Sequence, residues 1–149
     1  MKKKGIFLTV ILLAVAMLTL LCGCSAYGKI QSAYEKAGYE EQESVPNAQK
    51  DALKAIMGED YENVCTVHVM TRTPEGLADI GKTNVVIILE FKSNDAIKEE
   101  IDKREGLKNL LKDSAEDLQQ SKIVSGNCVL IINVGFDMAN AYSIFESTK

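Results

Sequence analysis

An α+β fold is predicted by three features of this chain. Residues 85–91 and 128–134 are long, nearly uninterrupted apolar runs of strand length. Residues 64–71 are β-branched and read with period two, as a third strand would. Other segments carry apolar residues every three or four positions, which is the helical period. The predicted order is α-α-β-β-α-β-β-α, without strict βαβ alternation. It favours a four-stranded, mainly antiparallel sheet packed with helices on one or both faces. Hydrophobic residues at 46% and charged residues at 26% describe a globular chain, and 149 residues support one domain with a sizeable core.

The elements can be justified in order. Tyr27, Ile30, Tyr34 and Ala37 recur at helical spacing, and Gly38 suits a C-terminal cap. Residues 40–44 are an acidic loop. Ser44-Val45-Pro46 then opens a second helix, with Ser44 as N-cap and the proline in the first turn. Ala52, Leu53, Ile56 and Met57 form its apolar side, and Gly58 ends it. Residues 73–82, with Pro74, Gly76 and Gly81, connect the strand at 64–71 to that at 84–91. The latter is nearly continuously apolar, as expected of a central strand. Ser93 or Asn94 caps the next helix. Its positions Ile97 and Ile101 continue, past an interruption at Gly106, as Leu107, Leu110, Leu111 and Leu118. Residues 122–124 and 128–134 flank Ser125-Gly126-Asn127 as a hairpin with a tight turn. Asp137 caps a last helix whose stripe is Met138, Ala141, Tyr142 and Phe145. Residues 85–101 and 128–144 each run from apolar strand through polar cap to helix, an offset of 43 positions that suggests a repeated β-β-α unit.

Ahead of this domain stands a leader. Lys2, Lys3 and Lys4 precede an apolar run from Ile6 to Leu21, followed by small residues, which is the layout of a secretory signal. The run ends Leu21-Cys22-Gly23-Cys24-Ser25. This resembles the lipobox of bacterial lipoproteins, in which an apolar residue, a small residue and Gly or Ala precede an invariant Cys. Leu21, Gly23 and Cys24 fit the pattern, and Cys22 departs from its commonest choice. The resemblance covers the first 25 residues. It implies a signal peptide at 1–23, cleavage before Cys24, a diacylglyceryl group on the Cys24 sulfur, and a lipid bilayer as the partner of that anchor. It is a resemblance to small lipoproteins of unknown function and carries no activity with it. An uncleaved span would leave the domain, 24–149, on the same extracytoplasmic side, because the lysines stay cytoplasmic either way.

Charge and motifs then limit the function. The formal charge is −4, and the leader contributes lysines but no acid, so the domain alone is more acidic still. That argues against a nucleic-acid partner. It also disfavours contact of the domain with anionic surfaces. The one histidine, His68, follows Cys65 as C-x-x-H, with Cys128 as a third soft ligand. Positions three apart on a strand point to opposite faces, so Cys65 and His68 are not expected to share a metal. No metal or other cofactor is expected. No Gly-x-Ser-x-Gly is present, and Gly76 with Gly81-Lys82-Thr83 has the spacing of a phosphate loop but stands before a strand, where such a loop must open a helix. Glu40-Glu41 and Glu99-Glu100 read as solvated pairs, and Asp113, Glu116 and Asp117 as decoration of a helix. Cys65 and Cys128 are the thiols left after lipidation; a disulfide between them requires neighbouring strands with both side chains on one face.

The expectation is therefore a membrane-anchored, extracytoplasmic lipoprotein whose domain is a non-catalytic binding module for an unknown envelope protein or ligand. The alternative is a small cell-envelope hydrolase using His68, which needs a pocket joining His68 to an acid or nucleophile. Cys24→Ala should block both signal processing and fatty-acid labelling. Labelling that persists in that variant, or a mature protein retaining Met1, contradicts the lipobox reading.

Overall fold

The computed structural model describes residues 25–79, 84–111, 118–132 and 138–149. Helix α1, Ala26–Lys36, is capped by Ser25, whose hydroxyl accepts the Gly28 N–H at 3.0 Å. Tyr27, Ile30 and Tyr34 form its buried side. Gly38 follows at φ 85°, a left-handed turn that only glycine adopts cheaply, and redirects the chain. Out of that turn comes β1, Glu40–Glu41, paired with Thr71 and Met70 of β2. These glutamates were expected in a loop, and the sheet has five strands where four were expected. Two acids have neither β-propensity nor alternation, so only the turn and the neighbouring strand make them a strand.

Helix α2 is Asn47–Met57, and its N-cap is Pro46, in extended conformation, where Ser44 was expected. A residue before proline is driven out of the helical region. Val45 therefore cannot serve as a first helical residue, and the helix begins after Pro46. Strands β2, Cys65–Thr71, and β3, Val85–Phe91, pair antiparallel from Cys65↔Phe91 to Thr71↔Val85. The loop between them contains a short helical turn, Leu77–Asp79. Ser93 caps α3, Asn94–Lys103, by accepting the Ala96 N–H at 3.1 Å. The Asn94 amide instead donates to the Gly126 carbonyl. The predicted long helix is broken at Arg104, and α4 is Glu105–Leu110. Strands β4, Val124–Ser125, and β5, Cys128–Ile132, close a hairpin around Gly126-Asn127. The last helix, α5, is Ala139–Glu146. Asp137, Asp113, Glu116, Asp117 and Gly81-Lys82-Thr83 lie outside the described residues, as does the leader with Cys24.

The sheet order is β1-β2-β3-β5-β4, and every pairing is antiparallel. Strand β3 is central and covered on both sides. Ile87, Leu89 and Phe91 join a core with Leu53 and Met57 of α2, Ile97 and Ile101 of α3 and Leu107 of α4. Val86 and Ile88 join a second core with Tyr27, Ile30 and Tyr34 of α1 and Phe145 of α5. The suggested repeat does not survive this arrangement. At an offset of 43, Ile87 aligns with Leu130 and Ile88 with Ile131. Each pair puts one residue in the first core and the other in the second.

The break at Arg104 is held on both sides. Its guanidinium donates to Asp60 at 2.8 and 3.0 Å and to Glu100 at 2.6 Å. Arg104 holds both carboxyl groups below their ordinary range. This clamp therefore contributes above the carboxylates' unfolded-state pKa and is lost as the pH falls through their folded values. Two residues on, α4 lies hard against α2. A Cβ at Gly106 would sit 2.5 Å from the Ile56 carbonyl oxygen and 2.6 Å from its Cα. Gly106→Ala should cost about 1–3 kcal/mol in urea unfolding, although alanine normally favours a helix. A variant as stable as the wild type would mean that α2 and α4 do not approach this closely.

Candidate functional site

The face of the sheet beneath α1 carries the histidine. Alternation along β2 turns Cys65, Val67 and Val69 toward the first core, and Thr66, His68 and Met70 toward α1. Glu41 of β1 is opposite Met70, and Glu90 of β3 is opposite Thr66. Both carboxylates are thus diagonal neighbours of His68 on one face. They meet opposite ends of its ring: Nδ1 lies 2.8 Å from Glu41 Oε1 and Nε2 3.0 Å from Glu90 Oε2. Above the ring, Tyr27 of α1 stacks at 3.5 Å between centroids and 16° between planes. The histidine side chain is 13% exposed. Gln31 of α1 donates to the other oxygen of Glu41 at 3.1 Å. The result is a polar seam, Glu41–His68–Glu90, roofed by one aromatic ring.

Its chemistry is set by proton counts. An ionised carboxylate only accepts, and a neutral imidazole has one N–H. Both contacts are hydrogen bonds only when the ring carries two protons, and the seam then becomes a cation between two anions. The Tyr27 hydroxyl is buried and makes no hydrogen bond of ordinary geometry. Burial first, and then the nearby Glu41 carboxylate, push its ionisation well above the usual phenol range.

Neither ring nitrogen of His68 is left to activate a nucleophile or take up a substrate proton. The surface clefts at α1–α5 and beside Arg72 are not lined by it. The two carboxylates lie beyond opposite ends of the ring and do not converge on one point. Among the described residues no group of three His, Cys, Asp or Glu is placed to hold a metal ion. Cys65 and His68 point to opposite faces, as the strand period required.

The possible disulfide between Cys65 and Cys128 is not formed. Both thiols are free and buried. Cys65 belongs to the core under α2–α4 and Cys128 to the core under α1 and α5, with β3 between their strands. Opposite faces two strands apart are beyond the reach of a bridge. Burial pushes the Cys65 thiol up to about 11, and burial followed by the charge of Glu90 pushes Cys128 up to about 12. Thiols so held are poor nucleophiles at neutral pH.

The acidic pairs expected in solvent each have one engaged member. Glu41 binds His68, and Glu100 binds Arg104. Sequence reasoning missed all three partners of His68. One signal was available: Glu90 is an acid inside a run otherwise apolar enough for a doubly covered strand, and such an acid needs a partner. Glu41 and Tyr27 gave none. Compared with known proteins, the chain matches no family, no curated protein and no solved structure.

His68→Ala removes both contacts and the stack at once. It should destabilise the domain by about 1–3 kcal/mol, allowing for the partial exposure of the glutamates, and speed amide exchange at Glu41 and Gln42 more than in β3. Unchanged stability and unchanged exchange in β1 would show that the seam does not hold the sheet edge.

Proposed function

We propose that this chain is a membrane-anchored, extracytoplasmic lipoprotein whose domain works by contact and not by turnover. The observation that carries the reading is the engagement of His68. The histidine that any acid–base or nucleophilic chemistry would draw on is held by two carboxylates beneath an aromatic ring. The two buried thiols add support, since neither offers an accessible thiolate. For the anchor, the support is the Leu21-Cys22-Gly23-Cys24 pattern and the start of α1 directly after it, with Ser25 as cap.

Two surfaces suit a protein partner. In the loop after β2, residues 73–78 are exposed and Leu77 stands 87% exposed, a large apolar side chain with no core to serve. On β2, β1 pairs only with Met70 and Thr71, so among the described residues the other end, Cys65–His68, has no strand on that side. Such an edge accepts an added strand.

Crosslinking and capture from native membranes should recover a partner with the wild-type chain and lose it when residues 75–80 are scrambled, the melting transition being kept. Capture that survives the scrambling removes the loop from the reading. A substrate turnover abolished by His68→Gln would replace the binding module with an enzyme.

A further inference from the structure

We propose that the cleft between α1 and α5 is a docking site for the phosphate groups of an anionic bilayer, which would lay α1 along the membrane surface. The proposal rests on the membrane-anchored reading for its geometry. The cleft measures about 690 Å³ and is lined by Lys29, Ser32, Ala33 and Lys36 of α1 and by Ile144 and Thr148 at the α5 end, among others, with no aspartate or glutamate side chain in its wall. Lys29, Ala33 and Lys36 follow one another at i, i+4 and i+7, so both ammonium groups project from the same stripe of α1, opposite the buried tyrosines.

The pairing of the lysines separates these two from others. Lys54, Lys98 and Lys103 each sit against a carboxylate. Lys29 and Lys36 make no ion pair among the described residues. In a chain of net charge −4, a concave patch lined by Lys29 and Lys36, with no aspartate or glutamate among its lining residues, is a local departure from the overall sign. Phosphate is the chemistry it fits, since an ammonium is a compact point charge for such an anion.

The position of the cleft favours lipid as the source of that phosphate. Helix α1 begins immediately after Ser25, so no tether separates it from Cys24. At 1.5 Å per residue, Lys29 lies about 6 Å along the helix from its cap, Ser25, and Lys36 about 16 Å. The headgroup layer is roughly 6 Å deep on each side of a bilayer. An upright helix would leave Lys29 at its outer edge and Lys36 well outside it; both lysines reach it together when α1 lies flat with the cleft facing down.

The test reconstitutes the full chain into vesicles of phosphatidylcholine with or without phosphatidylglycerol. Acetylation by a membrane-impermeant amine reagent is then read lysine by lysine by mass spectrometry. Phosphatidylglycerol should slow labelling of Lys29 and Lys36 by about five-fold or more, the factor that one lysine at an anionic surface is worth, and leave the exposed Lys92 and Lys98 unchanged. Lys29→Gln should weaken the protection of Lys36. Equal labelling of Lys29 and Lys36 in both vesicles overturns the proposal. Protection produced in phosphatidylcholine vesicles by added inorganic phosphate also overturns it, and assigns the cleft to a soluble phosphate compound. The intact mass of the chain reads the diacylglyceryl group separately. An acylated chain without protection sinks the docking site alone, and protection in a chain lacking the acyl group sinks the lipoprotein reading alone.

Discussion

Everything else in this domain is arranged around a strand with no face left for water. Val86, Ile87, Ile88 and Leu89 are at most 2% exposed, so β3 must be covered above and below and paired on both edges. Each such side chain contributes about 1.5–3 kcal/mol on burial, an upper estimate for a realistic unfolded chain. The antiparallel pairing with β2 and β5 satisfies its backbone, and helices are then required on both faces. Three of them, α2, α3 and α4, meet the first core, and α1 and α5 meet the second. The crossing at Gly106 follows from the same demand. Three helices share one side of the sheet, and α4 fits against α2 only where Gly106 lacks a Cβ.

The polar seam is the counterpart of that apolar strand. Glu90 stands on the α1 face next to the last buried pair of β3, where the second core thins out. A carboxylate there cannot be left alone at the margin of a core. His68, its diagonal neighbour, supplies the partner, and Glu41 engages the other end of the ring. Tyr27 then covers the group with an apolar face. Seen this way, His68 ties three strands and one helix together at the sheet's thinner side. A histidine that performs this task has both nitrogens committed.

How much of this was legible depends on whether the determinant was local. The helices of α1 and α2, the strands β2, β3 and β5, and the Ser93 cap follow from periodicity, β-propensity and capping chemistry within a few residues of each element. The opposite faces of Cys65 and His68 followed from the strand period alone. What failed depended on tertiary partners. Strand β1 exists because Gly38 turns Glu40–Glu41 alongside Thr71 and Met70, and nothing in two glutamates announces that. The helix start at Asn47 was readable in principle, since Val45 precedes a proline, but the serine two places earlier was the more familiar signal. The repeat failed because residues of like hydrophobicity at an offset of 43 face opposite cores, and hydrophobicity carries no label for which face is buried. The seam was hidden for the same reason: its members come from positions 27, 41, 68 and 90, and only the sheet register and the helix above it bring them together.

Net charge illustrates the same limit at the level of the surface. An acidic total suggests a domain repelled by an anionic membrane, but a total describes the field only at distances large against the molecule. At physiological ionic strength charges are screened within roughly 8 Å. A surface in contact with lipid is therefore governed by the groups that actually face it. Many of the acids here are spent locally: Glu100 and Asp60 on Arg104, Glu59 on Lys54, Glu41 and Glu90 on His68. Among the described residues Lys29 and Lys36 of α1 make no ion pair, and they line the cleft on the element that starts closest to Cys24. Under the anchored reading, the acidity of the remaining surface then acts as an orienting force. It would favour keeping acidic surface away from the bilayer, with the proposed cleft as the face that meets it.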